Sequence, residues 1–276
     1  MQSWAFQHRS RCTLGEAACA LCSLAYDFEG LACASPEPFP PRIMLRRTLW
    51  HPPMANDDEQ CPGEAFVKLM EHLTCIDEQA FKALEVPYNR AALFTLPMWS
   101  TFGALTKRTL SCSACLRVNH KLGWESIFMI NTPMGRDVSV RAALLQQFER
   151  ELLDGQSARC TSCHTVRCLE QELSVVIWPA TMILHVRRWK LSPHGNRWVK
   201  DARPIRSDET LEVEGNQYSL RSVVVHRGST GDGGHYVVFS TKDGKEWFGM
   251  NDAQTPVIRP WSEVRTQIAY LLCYAR

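Results

Sequence analysis

Two cysteine pairs, Cys112-x2-Cys115 and Cys160-x2-Cys163, restrict the fold of this chain more than any other feature. The C-x2-C spacing lets one tight turn aim two thiolates at the same point, and two such turns close a tetrahedral shell around a zinc ion. A shell of four thiolates leaves no open position for chemistry, so one structural zinc on Cys112, Cys115, Cys160 and Cys163 is expected. The gap between the pairs is longer than a compact ribbon needs. It predicts an inserted segment, and 138–153 reads as a helix closed by Asp154-Gly155. The text from 96 to 119 is strand-like, with Cys112 to Cys115 at a hairpin tip, and His164 and Cys168 stand near enough to act as substitute ligands. The plain alternative is four cysteines that only pack, since cysteine is among the most buried residue types.

Whether those thiols are reduced depends on the compartment. Met1-Gln2-Ser3-Trp4 leads into polar and basic residues rather than an apolar run, so no signal peptide is read, and an intracellular chain with mostly reduced cysteines is expected. A formal charge of +2 with no long run of one sign calls for neither nucleic acid nor an anionic membrane surface. The apolar stretch 173–186 is too short to span a bilayer and is broken by Pro179. With 276 residues, 45% of them hydrophobic, the chain can bury a real core, and a monomer is expected. A second group, His8-x3-Cys12-x6-Cys19-x2-Cys22, could hold another zinc. Reduced cysteines packed beneath a helix at 24–31 are the preferred expectation there.

The stretch from Gly233-Gly234-His235-Tyr236 to Trp247 and Asn251-Asp252 carries the chemistry. Apolar and aromatic residues flank Lys242-Asp243-Gly244-Lys245, which reads as a hairpin. A three-residue loop with glycine left-handed sets His235 opposite Asn251, and a two-residue Asp-Gly turn sets it opposite Asp252. Either partner can accept the imidazole Nδ1–H, leaving Nε2 free to take a proton. An ordinary hairpin that happens to begin with a histidine is the alternative. The four glycines of 228–234 suggest a loop over which a substrate backbone can come close. Elsewhere, Phe66, Leu69, Met70 and Leu73 recur at helical spacing behind Pro62 and an acidic start, predicting a helix over 64–73. Strands are expected over 173–178, 181–189, 218–226 and 268–274.

These elements together resemble the ubiquitin-specific proteases, papain-like cysteine peptidases. Tyr218-x-Leu220, Val225-His226-x-Gly228, Gly234-His235-Tyr236, Trp247, Asn251-Asp252 and Ala269-Tyr270-Leu271-Leu272 follow that family's histidine box. Pro179 with Leu184-His185-Val186-Arg187-Arg188-Trp189 and the two cysteine pairs of its fingers are similarly placed. The resemblance implies an α+β hand: a truncated helical thumb over 1–95, then a palm sheet over 96–276 with inserted zinc-ribbon fingers whose tips lie near 109–120 and 157–170. It implies hydrolysis after the terminal glycine of ubiquitin, with ubiquitin and ubiquitinated proteins as partners. His235 is then the base, Asn251 its orienting residue, and Asp252 a support or substitute. Gln60, Glu64, Gly233, Gly234 and Tyr236 are expected to line the substrate. Two departures stand out: Cys61 replaces the aspartate that grips the basic ubiquitin tail, and the family's Asn-x-Gly-Asn-Thr-Cys box, expected ahead of residue 1, does not occur in the sequence. A catalytically dead ubiquitin-binding module is therefore the rival expectation.

Overall fold

The computed structural model describes residues 12, 19–32, 61–83, 97–132, 138–153, 158–192, 195, 198–229, 233–252 and 254–276. Two long helices, α1 (Ala20–Ala32) and α2 (Pro62–Ala83), and the short α3 (Pro97–Phe102) pack through one apolar seam. Cys19, Leu21 and Cys22 from α1 and its entry meet Met70 and Leu73 of α2 and Met98 of α3, all buried. Pro62 opens α2, where its missing N–H costs nothing. The indole Nε1 of Trp99 donates to Thr74 Oγ1 at 2.8 Å, pinning α3 to α2. A Cβ at Gly103 would come within 2.5 Å of Trp99 O, so only glycine lets the chain turn out of α3 there. The strand expected from residue 96 therefore begins later, because 97–102 is helical.

β1 (Ala104–Cys112) and β2 (Val118–Glu125) form the first hairpin, with Cys112 to Cys115 at its tip as expected. β3 (Phe128–Asn131) is followed by α4 (Val140–Leu145), whose first turn is capped by Ser139 accepting from Ala142 N. A single 3₁₀ turn (Gln146–Phe148) and β4 (Glu151–Leu152) follow. The helix expected over 138–153 is thus cut to six residues. Phe148 turns in to meet Phe128 and Trp178 edge-on, at 6.4 and 5.8 Å, and 151–152 joins β5 (Leu169–Ile177) as a strand. Tertiary aromatic packing outweighs the helical propensity of a segment otherwise rich in helix formers. The resulting four-stranded sheet has the order β2-β1-β5-β4.

The larger sheet is built from β6 (Thr181–Arg187), β9 (Thr210–Val213), β10 (Asn216–Arg227), β11 (His235–Ser240), β12 (Trp247–Met250), β13 (Val257–Arg259) and β14 (Ala269–Ala275), with β3 on its edge. Its order is β13-β12-β11-β10-β14-β6-β3, and β9 pairs with β10. All pairs are antiparallel except β3 with β6. The one remaining helix among the described residues, α5 (Trp261–Val264), leads into β14. Leu184, Val186, Val223, Val225, Val237, Phe239, Trp247, Leu272 and Tyr274 fuse into one core, each large apolar side chain contributing on the order of 1.5–3 kcal/mol. On the other face Ile183, Tyr270 and Leu271 form a second cluster that receives Phe66 of α2 and Phe102 of α3. Consecutive buried residues in β14 follow from its being covered on both sides.

A small hairpin of β7 (Trp189–Leu191) and β8 (Trp198–Lys200) completes the structure. Its base is fastened by Arg188, 1% exposed, whose guanidinium donates to the carbonyls of Ala269, Asp201 and Arg203. Asp201 collects Lys190 at 2.8 Å, Arg203 at 2.6 Å and the Thr132 hydroxyl, tying the end of β3 to this hairpin. Those bonds, Arg203 first, hold the Asp201 carboxyl far below the usual carboxylate range. No described helix is long and apolar enough to cross a membrane.

Candidate metal centre and candidate active site

The four cysteines expected to hold a metal converge. Their Sγ atoms all lie within 4.8 Å of one another. Cys112 to Cys163 is 3.7 Å and Cys115 to Cys160 is 3.8 Å, while a tetrahedron with metal–sulfur bonds of about 2.3 Å has edges of about 3.8 Å. The two turns repeat one backbone plan. In the first, Leu116 N donates to Cys112 O and Cys112 N to Arg117 O; in the second, His164 N donates to Cys160 O and Cys160 N to Thr165 O. Leu116 and His164 both take a left-handed φ, 61° and 59°, to close these turns. His164 is thereby used by the backbone and is not drawn into the ligand set. The thiols are shifted unevenly: contact with the Thr165 hydroxyl, then with the Thr165 backbone, pulls Cys163 down to about 6, while, against a hydrogen bond with the Arg117 backbone, burial and the neighbouring thiols push Cys115 up to about 12. The donor set fits a metal ion held for structure.

A second set of three, Cys12, Cys19 and Cys22, also has its sulfurs within 4.8 Å of one another. Cys19 and Cys22 belong to the buried seam of α1. Burial, then the hydrogen bond with Cys12, pushes the Cys22 thiol up to about 12. His8, the fourth residue of that motif, lies outside the described residues.

At the start of β11, His235 Nε2 is hydrogen-bonded to Asn251 Oδ1, and Asp252 Oδ2 is 3.7 Å from the same nitrogen. Two expectations are corrected here. The register pairs Val238 with Met250 and Ser240 with Phe248, so neither short loop is present and, continued, it would face Asn251 with Val237. The turn is longer because its own side chains cap it. Thr241 Oγ1 accepts from Gly244 N, and Asp243 Oδ1 accepts from Lys245 N and Glu246 N. The chain leaves the ladder after Met250 and bends at Asp252, φ 48°, and the Asn251 side chain reaches His235 from there. The ring nitrogens also exchange roles: Nε2 meets Asn251, and Nδ1 takes no hydrogen bond among the described residues. Asn251 is itself oriented, its Nδ2 donating to Gln254 Oε1 at 3.1 Å.

The loop before His235 is pinched at its neck. A Cβ on Gly234 would fall 2.3 Å from His226 Nε2, and one on Gly228 would fall 2.9 Å from Gly234 Cα, so both positions require glycine. Gly233 has open space around it. Lys200 Nζ reaches His226 Nδ1, His226 O and Gly228 O at 2.9, 2.7 and 2.7 Å, coupling the β8 hairpin to this neck. That coupling is absent from any sequence expectation, since a contact across 26 positions leaves no local pattern. A cavity of about 620 Å³ opens beside Lys200, His226, Gly228 and Ile268, and His235 does not line it. Tyr236 packs on His226 and Tyr270. Cys61 Sγ is 3.2 Å from Tyr270 Oη, and Gly63 abuts His185, whose imidazole burial and then Arg187 push down to about 4. Glu64, next to Gly63 in the first turn of α2, is exposed, and Gln60 lies outside the described residues.

A family model described as ubiquitin carboxyl-terminal hydrolase matches residues 3–274. Ubiquitin carboxyl-terminal hydrolase 25 of Arabidopsis thaliana is 23% identical over 185 residues, 63% of this chain and 27% of that protein. Ubiquitin carboxyl-terminal hydrolase 10 of Saccharomyces cerevisiae is 24% identical over 183 residues, 63% of this chain and 23% of that protein. The human ubiquitin carboxyl-terminal hydrolase 2 is 31% identical over 139 residues, 46% and 22% of the two. The chain thus spans about a quarter of the length of these curated relatives. The solved SAGA DUB module bound to ubiquitin aldehyde superposes with a TM-score of 0.77 at 18% identity, covering 99% of this chain and 63% of that one. A yeast SAGA DUBm structure gives 0.76 at 16%, with 99% and 62% covered. Those superpositions carry the α+β ubiquitin-specific protease fold, and the family match adds descent: the chain belongs to the ubiquitin carboxyl-terminal hydrolases, the ubiquitin-specific proteases.

Proposed function

We propose that this chain is a truncated thumb (1–95) with the palm and fingers (96–276) of a cysteine-type deubiquitinase, acting on the bond after the ubiquitin C-terminal glycine, with His235 as its base. The observation that carries this reading is the His235–Asn251 pair: Asn251 holds Nε2, and Nδ1 is left to receive a proton. In that role Nδ1 takes the thiol proton of a cysteine nucleophile and later returns it to the leaving amine. Asp252, 77% exposed and 3.7 Å away, assists electrostatically rather than by a direct bond. Gly233, Gly234 and Tyr236 border the ubiquitin tail in this reading, and Glu64, exposed in the first turn of α2, adds a contact to it. One zinc on Cys112, Cys115, Cys160 and Cys163 gives the fingers their form.

No Asn-x-Gly-Asn-Thr-Cys stretch occurs in the 276 residues, so the nucleophile and its oxyanion donors are not among them. Residues 1–276 alone therefore neither cleave a fluorogenic ubiquitin substrate nor react with a ubiquitin probe bearing a thiol-reactive end, while ubiquitin still binds without covalent capture. Labelling that maps to Cys12, Cys19 or Cys22 overturns this, because one of them would then serve as nucleophile. A second reading, a ubiquitin-binding module without activity, is favoured by Cys61 standing where the family has its tail-gripping aspartate. Calorimetric titration with ubiquitin and with tail-truncated ubiquitin separates the two: equal affinities favour the binding module.

A further inference from the structure

The metal shell leaves one thiol over. Cys168 is 4% exposed, and its Sγ lies 3.4 Å from Cys112 Sγ, closer than the 3.7 and 3.8 Å contacts between ligands. Cys168 is not one of the four sulfurs that all lie within 4.8 Å of one another, and it stands against Cys112 beside that set. Its thiol hydrogen is directed to Thr165 O at 3.3 Å, as suits a sulfur that holds no metal. The backbone fixes the pair. Ser113 N donates to Cys168 O at 2.8 Å, and Cys112 is registered against Leu169, so the ladder that builds the finger tip also holds these two sulfurs together. None of the five cysteines at the tip carries a disulfide.

We propose that Cys112 and Cys168 are an oxidation site built into the finger tip, which a hydroperoxide converts to a disulfide with release of the metal. This inference rests on the four-cysteine metal reading and not on the catalytic one. Cys115 is exposed and Cys163 half-buried, so a small peroxide has access to the centre from their side. The Cys112 thiolate attacks one peroxide oxygen, breaking the O–O bond and giving a sulfenic acid and hydroxide. The Cys168 sulfur then displaces the sulfenic hydroxyl, which leaves as water with the Cys168 proton, and the S–S bond forms. The two sulfurs lose two electrons and the peroxide gains them. Three thiolates remain on the metal, which a competing chelator then removes. A dithiol reductant reverses the disulfide by exchange.

The test uses the whole 276-residue chain, its zinc content measured first. It is treated with hydrogen peroxide beside a chromogenic zinc chelator, and the cysteines are mapped by peptide mass spectrometry. Loss of the bound zinc together with a Cys112–Cys168 linked peptide is expected, both restored by dithiothreitol and added zinc. Cys168→Ser should hold zinc as the natural chain does and release it about tenfold more slowly, having lost its resolving thiol. Cys168→Ala serves where serine disturbs the tip. Equal release rates, or linkages confined to Cys112, Cys115, Cys160 and Cys163, overturn the proposal. A chain that holds no zinc at the outset overturns the release step together with the metal reading, and its peptide map still decides whether the Cys112–Cys168 bond forms.

Discussion

The finger tip and the palm sheet are both antiparallel β-structure, yet they stand on different forces. In the palm, β10, β11 and β14 bury Val223, Val225, Val237, Phe239, Leu272 and Tyr274 in one continuous core. At the finger tip the buried residues are Cys112, Cys160, Cys168 and Leu169, while Leu116, Val118 and Leu122 are 81%, 50% and 54% exposed. A narrow sheet with so little apolar cover does not hold itself together in water. The palm is stabilised by area removed from water, and on the metal reading the tip is held by four sulfurs drawn to one point, so each should fail under treatments that spare the other.

The largest expected effect is Cys112→Ala. Structural zinc binding in small fingers is worth about 10–16 kcal/mol in apparent terms, so this change should abolish metal uptake and hydrogen-exchange protection in β1 and β2. Protection in β10 to β14 should persist. Metal analysis together with exchange mass spectrometry decides it, and simultaneous loss of both regions would dissolve the distinction. Next, Phe239→Ala, at a side chain 2% exposed, should cost about 3–5 kcal/mol. Denaturant unfolding should register that loss with zinc content unchanged.

Asp201→Asn is expected to cost less, between about 1 and 3 kcal/mol, because Lys190 and Arg203 are 44% and 40% exposed and water screens them. The sign of its pH dependence follows from a folded carboxyl held below its unfolded value. Its stabilisation is complete above about pH 4 and is lost as the pH falls further. The natural chain should therefore lose stability below pH 4 more steeply than Asp201→Asn, as acid titrations of unfolding would reveal. The smallest effect is Arg150→Ala. Its contacts with Glu170 and Glu172, 3.4 and 3.2 Å on the finger surface, are worth less than about 1 kcal/mol. A larger loss would mean that surface charge, not metal, braces the fingers.

The sequence was most legible where one spacing has one physical use. Two C-x2-C pairs can bring four sulfurs to one point, and they do. The apolar and aromatic residues ahead of the Lys242–Lys245 turn marked β11 correctly, and Pro62 marked the start of α2. Register was not legible, because Asp243 and Thr241 cap a longer turn and Asp252 adopts a left-handed φ that its side-chain type only permits. Nor was the fate of 138–153, where Phe148 follows Trp178 and Phe128 instead of the helix. Contacts such as Arg188 to Ala269 and Lys200 to His226 join distant positions without any local signature. The second of them holds the neck of the loop that leads to His235.

The place of β14 carries a consequence for how the chain is made. It follows every other strand in sequence, yet in the large sheet it lies between β10 and β6. A nascent chain leaving the ribosome can close the β10–β11 hairpin early, because those strands are adjacent in sequence. The half of the palm that carries β6 and β3 has no neighbour to join until 269–275 has been synthesised. Until then both halves expose strand edges and apolar faces, the kind of surface that chaperones engage and that pairs wrongly when crowded. A stop codon only a few residues upstream of β14 would spare the cysteine knuckles and the His235 hairpin, and still remove the strand through which β10 and β6 share one sheet.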